Sequence, residues 1–239
     1  MLLKVRVRLP DRPGSLGKVA RILGAAGADV VEMAVLERDA GRALDDFTVA
    51  WPSGAGVDRL YGGLGHIPGV EIIGVWPTLE SKGAFPDAAL VGQLAANPDS
   101  GLVILTDAVP AILSADWAGL LSPPPARPVT SLSAGRTGPA PLPEWPAAEA
   151  IVVHTSLGAF ADVDLPEMHP IRPRAFTGGD GTEYVVAPLG EAQLVLLVAR
   201  SGAPPFHRSE VFRLVQLISA AEVVLGPHRM TFTGAVEIV

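Results

Sequence analysis

The sequence predicts an α+β protein built as two modules in series, and three observations carry that expectation. Roughly the first 75 residues run strand, helix, strand, strand, helix, strand, the double split βαβ order. Past Glu80 the pattern restarts, with fresh helical and strand signals. The second stretch then closes on a long amphipathic segment, "PPFHRSEVFRLVQLISAAEVVLG", after two strand-like runs that are nearly contiguous.

The first strand is read from strict alternation. Leu3, Val5, Val7 and Leu9 fall on one face of "LLKVRVRL", and Lys4, Arg6 and Arg8 on the other. Pro10 stops it. Pro13 suits a first helical turn, and Leu16, Val19, Ala20 and Leu23 recur at helical spacing until "GAAG" ends a short amphipathic helix. "ADVVEMAVLER" and "ALDDFTVAW" are strands joined by the turn "RDAGR" as a hairpin. "VDRLYGGLGHI" has a weak helical period broken by Gly62 and Gly63, and "GVEIIGVW" returns to strand character.

In the second module "PDAALVGQLAANPDS" predicts a helix and "GLVILTDAVPAIL" a strand continuing past Pro110. Residues 122 to 146 are so rich in Pro, Ser and Gly that they read as an exposed loop. Strands are expected at "EAIVVHT", "TEYVVAPLG" and "AQLVLLVAR", the last two an antiparallel pair turning at Gly190. Val211, Leu214, Val215, Ile218, Ala221, Val224 and Leu225 stripe the closing helix, with Gly226 and Pro227 as its stop. "MTFTGAVEIV" is a final strand or arm.

Composition bounds the function. With 25 acids against 18 Lys and Arg, a formal charge of -7 and no basic run, nucleic acid is a poor partner. The first 80 residues hold nine basic and ten acidic side chains, so most of the net negative charge lies in the second module. The apolar start carries Lys4, Arg6 and Arg8, unlike a signal peptide, and no apolar run reaches the ~20 residues of a membrane span. The expected address is the cytoplasm. No cysteine is present, which excludes disulfides, thiolate metal sites and thioether-attached chromophores. No cofactor and no metal is expected: His66, His154, His169, His207 and His228 include no pair at ligand spacing.

The glycine-rich stretch "LPDRPGSLGKVARILGAAGADVV" is not a phosphate loop. Gly14 and Gly17 are two residues apart where a Walker loop needs four, and Val19 stands where it needs Ser or Thr. Nor does it carry G-x-G-x-x-G spacing. Pro13 and Gly14 instead turn the chain tightly out of the first strand, leaving helix-opening amides near Gly14, Ser15 and Leu16 for an anion such as a carboxylate. Asp11 precedes that turn and Asp29 opens the second strand, and the two are expected to come close. Amide donors beside acids point to an α-amino acid. The plainer alternative is that Asp11 caps the helix and Asp29 closes a turn.

"PDRPGSLGKVARILGAAGADVVEM", followed by "FTVAW" and "IPGVEIIGVW", resembles an ACT domain, the amino-acid-binding regulatory module of several biosynthetic enzymes. The resemblance covers residues 1 to 78. It implies a ferredoxin-like βαββαβ fold, a homodimer and an effector held at the paired interface. It assigns ligand contacts to Asp11, Arg12, Pro13, Gly14, Ser15, Leu16, Asp29 and Val30. Several effector-binding members carry Asn where this chain has Asp11 and Asp29; Asp accepts from an ammonium but does not donate as Asn does. Residues 87 to 226 resemble, more loosely, a GAF domain, a small-molecule sensor with a central antiparallel sheet and helices on one face. The domains expected are thus 1 to 80 and 81 to 239.

Two further constellations enter as alternatives. "HTSLG" resembles a degenerate nucleophile elbow at Ser156, but His154 stands where a small residue is needed and "AFADVDLPEMHP" is no helix. An apolar pocket ringed by His154, Arg172 and Arg174 is the other. "DDF" places Asp45 and Asp46 in a strand, so one acid must face solvent or an interface; an edge-strand charge is preferred over a divalent-cation role. The expected function is an amino-acid-responsive regulator without catalysis, against a hydrolase sited in the second module or a module that only assembles subunits.

Overall fold

The computed structural model describes residues 1–79, 85–122, 150–156, 165–189 and 194–226. These residues form two antiparallel sheets and five α-helices. The first sheet is built from β1 (Leu2–Pro10), β2 (Asp29–Asp39), β3 (Arg42–Ala50) and β4 (Glu71–Pro77), in the order β2-β3-β1-β4. Helices α1 (Ser15–Ala25) and α2 (Asp58–Gly65) follow β1 and β3. The alternation in β1 places its apolar residues as expected: Leu3, Val5, Val7 and Leu9 meet Val19 and Leu23 of α1 and Leu60 and Leu64 of α2 in one core. Ala40 and Gly41 adopt positive φ at the β2–β3 turn, which suits a tight hairpin of right-handed twist.

Gly62 and Gly63 do not break α2. A Cβ on Gly63 would lie 2.6 Å from Cγ2 of Ile22, so this glycine lets α1 and α2 approach closely.

The second sheet comprises β5 (Trp117–Ser122), β6 (Ile151–Thr155), β7 (Arg174–Thr177), β8 (Glu183–Leu189) and β9 (Leu194–Arg200), in the order β6-β5-β9-β8-β7. β8 and β9 pair antiparallel from Glu183 opposite Arg200 to Leu189 opposite Leu194. Helices α3 (Pro86–Ala96), α4 (Gly101–Leu113) and α5 (Arg208–Leu225) cover one face, packing Leu90, Leu105, Val109, Leu214 and Ile218 against Leu120, Val185 and Leu196. The opposite face holds Trp117, Leu121, Tyr184, Val186 and Leu197, over which Met168 is packed.

The expected strand at "GLVILTDAVPAIL" is a helix, with Pro110 inside it. The sequence misleads because α4 buries residues around most of its circumference, including Leu102, Leu105, Thr106, Val109, Ile112 and Leu113. With no polar face the helical period is masked, and the β-branched content then mimics a buried strand. The Gly190 turn, the Pro-rich residues after Ser122, Pro227, His228 and the segment 230–239 lie outside the described residues.

The face of the first sheet opposite its helices meets the second half through a buried ionic cluster. Arg6, 2% exposed, donates to both Asp46 oxygens at 2.7 and 2.9 Å and to Glu210 at 2.9 Å. Arg200, 0% exposed, donates to Glu210 at 2.8 and 3.2 Å and to the carbonyls of Pro204 and Pro205 at 3.1 Å each. Both guanidiniums lie over the Trp76 ring, at 5.3 and 5.1 Å from its centroid. Burial pushes the Glu210 carboxyl up, but Arg200 and Arg6 together outweigh it and hold the group below the usual carboxylate range. Close packing supports the same junction, since a Cβ on Gly74 of β4 would lie 2.4 Å from Cγ of Pro204. Gly74→Ala is therefore expected to lower stability by about 1–3 kcal/mol through overpacking, read as a drop in thermal midpoint.

Candidate functional site

The turn between β1 and α1 is held by backbone bonds. Asp11 N–H donates to Gly41 O at 2.9 Å, Arg12 N–H to Pro10 O at 3.0 Å, and Ser15 N–H to Arg12 O at 3.2 Å. Gly14 is the N-cap of α1 at φ 88°, a left-handed conformation that an L side chain strains to adopt, and no side chain caps the helix. The Ser15 amide is thus already engaged, contrary to expectation. Gly14 and Leu16 present amides without a backbone acceptor among the described residues.

These residues wall a cavity of about 310 Å³, bounded by Leu9 to Leu16, by Val35 and Arg38 of β2, and by Ala43 and Asp45 of β3. Asp11, Arg12, Pro13, Gly14, Ser15 and Leu16 therefore share one site. Asp11 does not cap α1; its carboxylate stands 3.8 Å from the Arg38 guanidinium at the half-exposed rim.

Asp29 and Val30 lie elsewhere. Asp29 pairs with Ala50, which also faces Leu2 at the start of β1, whereas Asp11 follows the opposite end, where Pro10 pairs with Arg42. A nine-residue strand separates the two ends, roughly 25–30 Å. The expected approach of Asp29 to the first loop within one chain is not met, because α1 returns the chain to the start of β1 before β2 begins.

Asp45 was not foreseen in this site. β3 is an inner strand, so the "DDF" acids are not edge charges: Asp45 is 1% and Asp46 5% exposed. They point to opposite faces, Asp46 to the ionic cluster and Asp45 to the cavity. Neither Asp45 oxygen has a hydrogen-bond partner among the described residues. Burial pushes its carboxyl up to about 6, with Arg38 opposing and the charges of Asp11 and Asp46 adding. The signal available in sequence was the pair of adjacent acids, which in any strand must send one side chain to each face.

The alternatives in the second half do not assemble. Ser156 is 4% exposed and its hydroxyl accepts from Ala118 N–H at 2.9 Å, finishing the β5–β6 ladder. His154 turns to Asp107 of α4 at 2.9 Å. Arg174 stacks on Phe176 at 4.3 Å on β7, which with β6 forms the two edges of the sheet, so His154 and Arg174 do not ring one pocket. A second cavity of about 180 Å³ lies between the two halves, beside Lys4, Glu32, Asp46, Glu210 and Arg213. Burial lowers the Lys4 ammonium there, with Asp46 and Glu32 opposing. Among the described residues no group of three His, Cys, Asp or Glu is placed to hold a metal, and no single helix is long and apolar enough to cross a membrane.

No family model and no curated protein sequence matches the chain. Among solved structures, a formyltetrahydrofolate deformylase from Pseudomonas putida KT2440 is similar over 42% of this chain and 39% of its own length, at 16% identity and a TM-score of 0.29. An unknown protein from Galdieria sulphuraria is similar over 93% of this chain and 91% of its own, at 12% identity and a TM-score of 0.30. The chain thus spans well under half of the deformylase, and at these TM-scores neither likeness assigns a role to any residue.

Proposed function

We propose that residues 1 to 80 form an ACT-type regulatory module that binds a free amino acid, and that residues 81 to 239 form a GAF-like module that reads the bound state. The cavity at the β1–α1 turn carries this proposal. Its unused helix-opening amides suit a carboxylate, and Asp11 beside them suits an ammonium. The protein is proposed to be a cytoplasmic homodimer that uses neither nucleic acid nor a membrane.

Dimerisation accounts for Asp29 and Val30. β2 is an edge strand, and Val30, Val31, Met33 and Val35 along it are 36–54% exposed, an unusual apolar load for an open edge. If two copies pair antiparallel along β2, the start of one strand lies beside the end of the other. Asp29 of the partner subunit then approaches the cavity rim at Arg38. β2 also supplies a route to the second half. Glu37, next to Arg38, contacts His207 at 3.1 Å and Arg208, at the N-terminus of α5. A ligand that draws β2 inward would be felt there, favouring one arrangement of the halves.

Calorimetry against the common amino acids tests the proposal. Heat is expected for a subset at about millimolar concentration or below. Asp11→Ala and Asp29→Ala should each weaken binding roughly tenfold, as loss of a charged hydrogen-bond partner does, with the dimer retained in sedimentation. Absence of heat for every amino acid would sink it.

A further inference from the structure

Among the described residues, Asp45 is the buried charged group whose oxygens have no hydrogen-bond partner. It sits on β3 opposite Val7 of β1 and Val35 of β2, on the same face as Ala43 and Phe47. Its neighbours on both strands are apolar. Buried carboxylates are ordinarily paired or hydrogen-bonded, and an orphan at 1% exposure that borders an open cavity is placed to receive a group from outside the chain.

The charges around the cavity say which kind of group. Asp11 and Asp45 contribute two negative charges and Arg12 and Arg38 two positive, but Arg12 is exposed and Arg38 stands 3.8 Å from Asp11. Asp45 is thus the lining charge left without a hydrogen bond among the described residues, while Asp46 is turned away and satisfied by Arg6. A neutral amino acid brings one cation and one anion. With its ammonium at Asp11 and its carboxylate at the Gly14 and Leu16 amides, Asp45 would stay unpaired. A ligand with a second cation completes the set.

We propose that the cavity is selective for amino acids with a basic side chain, whose terminal ammonium or guanidinium docks on the Asp45 carboxylate. This rests on the amino-acid proposal above and adds to it the side chain that is recognised. Selectivity comes from the penalty on the alternatives, since an uncharged side chain seals a carboxylate in an apolar wall.

The full-length protein is titrated with L-lysine, L-ornithine, L-arginine, L-norleucine and cadaverine. Near pH 8 a basic amino acid is expected to bind at least about tenfold tighter than norleucine, the gain of one charge-assisted pair. The preference should shrink to about twofold or less in Asp45→Asn, and in the wild type near pH 5, where Asp45 is protonated. The wild-type series decides the matter even if the variant fails to fold. Equal binding of norleucine and the basic amino acids would overturn the selectivity while leaving amino-acid binding intact. Binding of cadaverine but of no amino acid would overturn the amino-acid proposal and leave Asp45 as a cation site. No binding of any of the five would remove both.

Discussion

Glu210→Ala is expected to cost about 3–5 kcal/mol, because it removes the carboxylate shared by two buried guanidiniums and leaves Arg200 without a counter-charge. Arg6 keeps Asp46, but Arg200 keeps the carbonyls of Pro204, Pro205 and Leu113 and the Trp76 and Phe206 rings, none of which carries a counter-charge. Glu210 also accepts from His207 N–H at 2.7 Å in the capping box of α5, so the helix start loosens as well. Urea unfolding monitored by circular dichroism reads the loss as a lower midpoint at unchanged slope. Since Glu210 joins β1 to α5, the variant should also melt in two steps if its halves hold separate stability. A loss below about 1 kcal/mol would show that the cluster is solvated and behaves as a surface pair.

Asp45→Asn is expected to act in the opposite direction, and only at neutral to alkaline pH. Burial raises the Asp45 carboxyl from 3.8 to about 6, with Arg38 opposing the shift and Asp11 and Asp46 adding to it. Between those values the folded state binds more protons than the unfolded one, so stability falls as pH rises through the window. Above about pH 6 the penalty is complete, on the order of 3 kcal/mol for a shift of about two units. Asparagine does not titrate. The stability of the variant relative to wild type should therefore grow by about 2–3 kcal/mol between pH 4 and pH 8, in paired urea curves. A difference that is flat with pH would mean that the carboxylate is hydrated in the folded protein.

The two acids of "DDF" show where sequence stops being informative. Alternation places them on opposite faces of β3, but which face a second sheet of helices and strands will cover is decided far away, at Arg200 and Glu210. The βαββαβ order was legible because each element announces itself locally: alternation in β1, Pro13 and Gly14 at the turn, β-branched runs in the hairpin. The first loop of the candidate site was legible for the same reason. α4 was not, since burial on most sides erases the polar face from which a helical period is read. β7 passed unnoticed at four residues, too short for a period to stand out, and β5 because it is buried along nearly its whole length and shows no alternation. Gly63 was misread because a glycine that admits a neighbouring helix looks, in one dimension, like a helix breaker.

The link between Arg6 and Glu210 spans 204 residues of chain. On a ribosome adding about 5–20 residues per second, β1 waits roughly 10–40 s for its second carboxylate. Once β4 has been made, the Arg6, Asp46 and Trp76 face of the first sheet stays uncovered until α5 follows. The nascent first sheet is thus the stage of synthesis at which a chaperone has most to shield, and slowing translation before α5 should lower the yield of native protein more than slowing it afterwards.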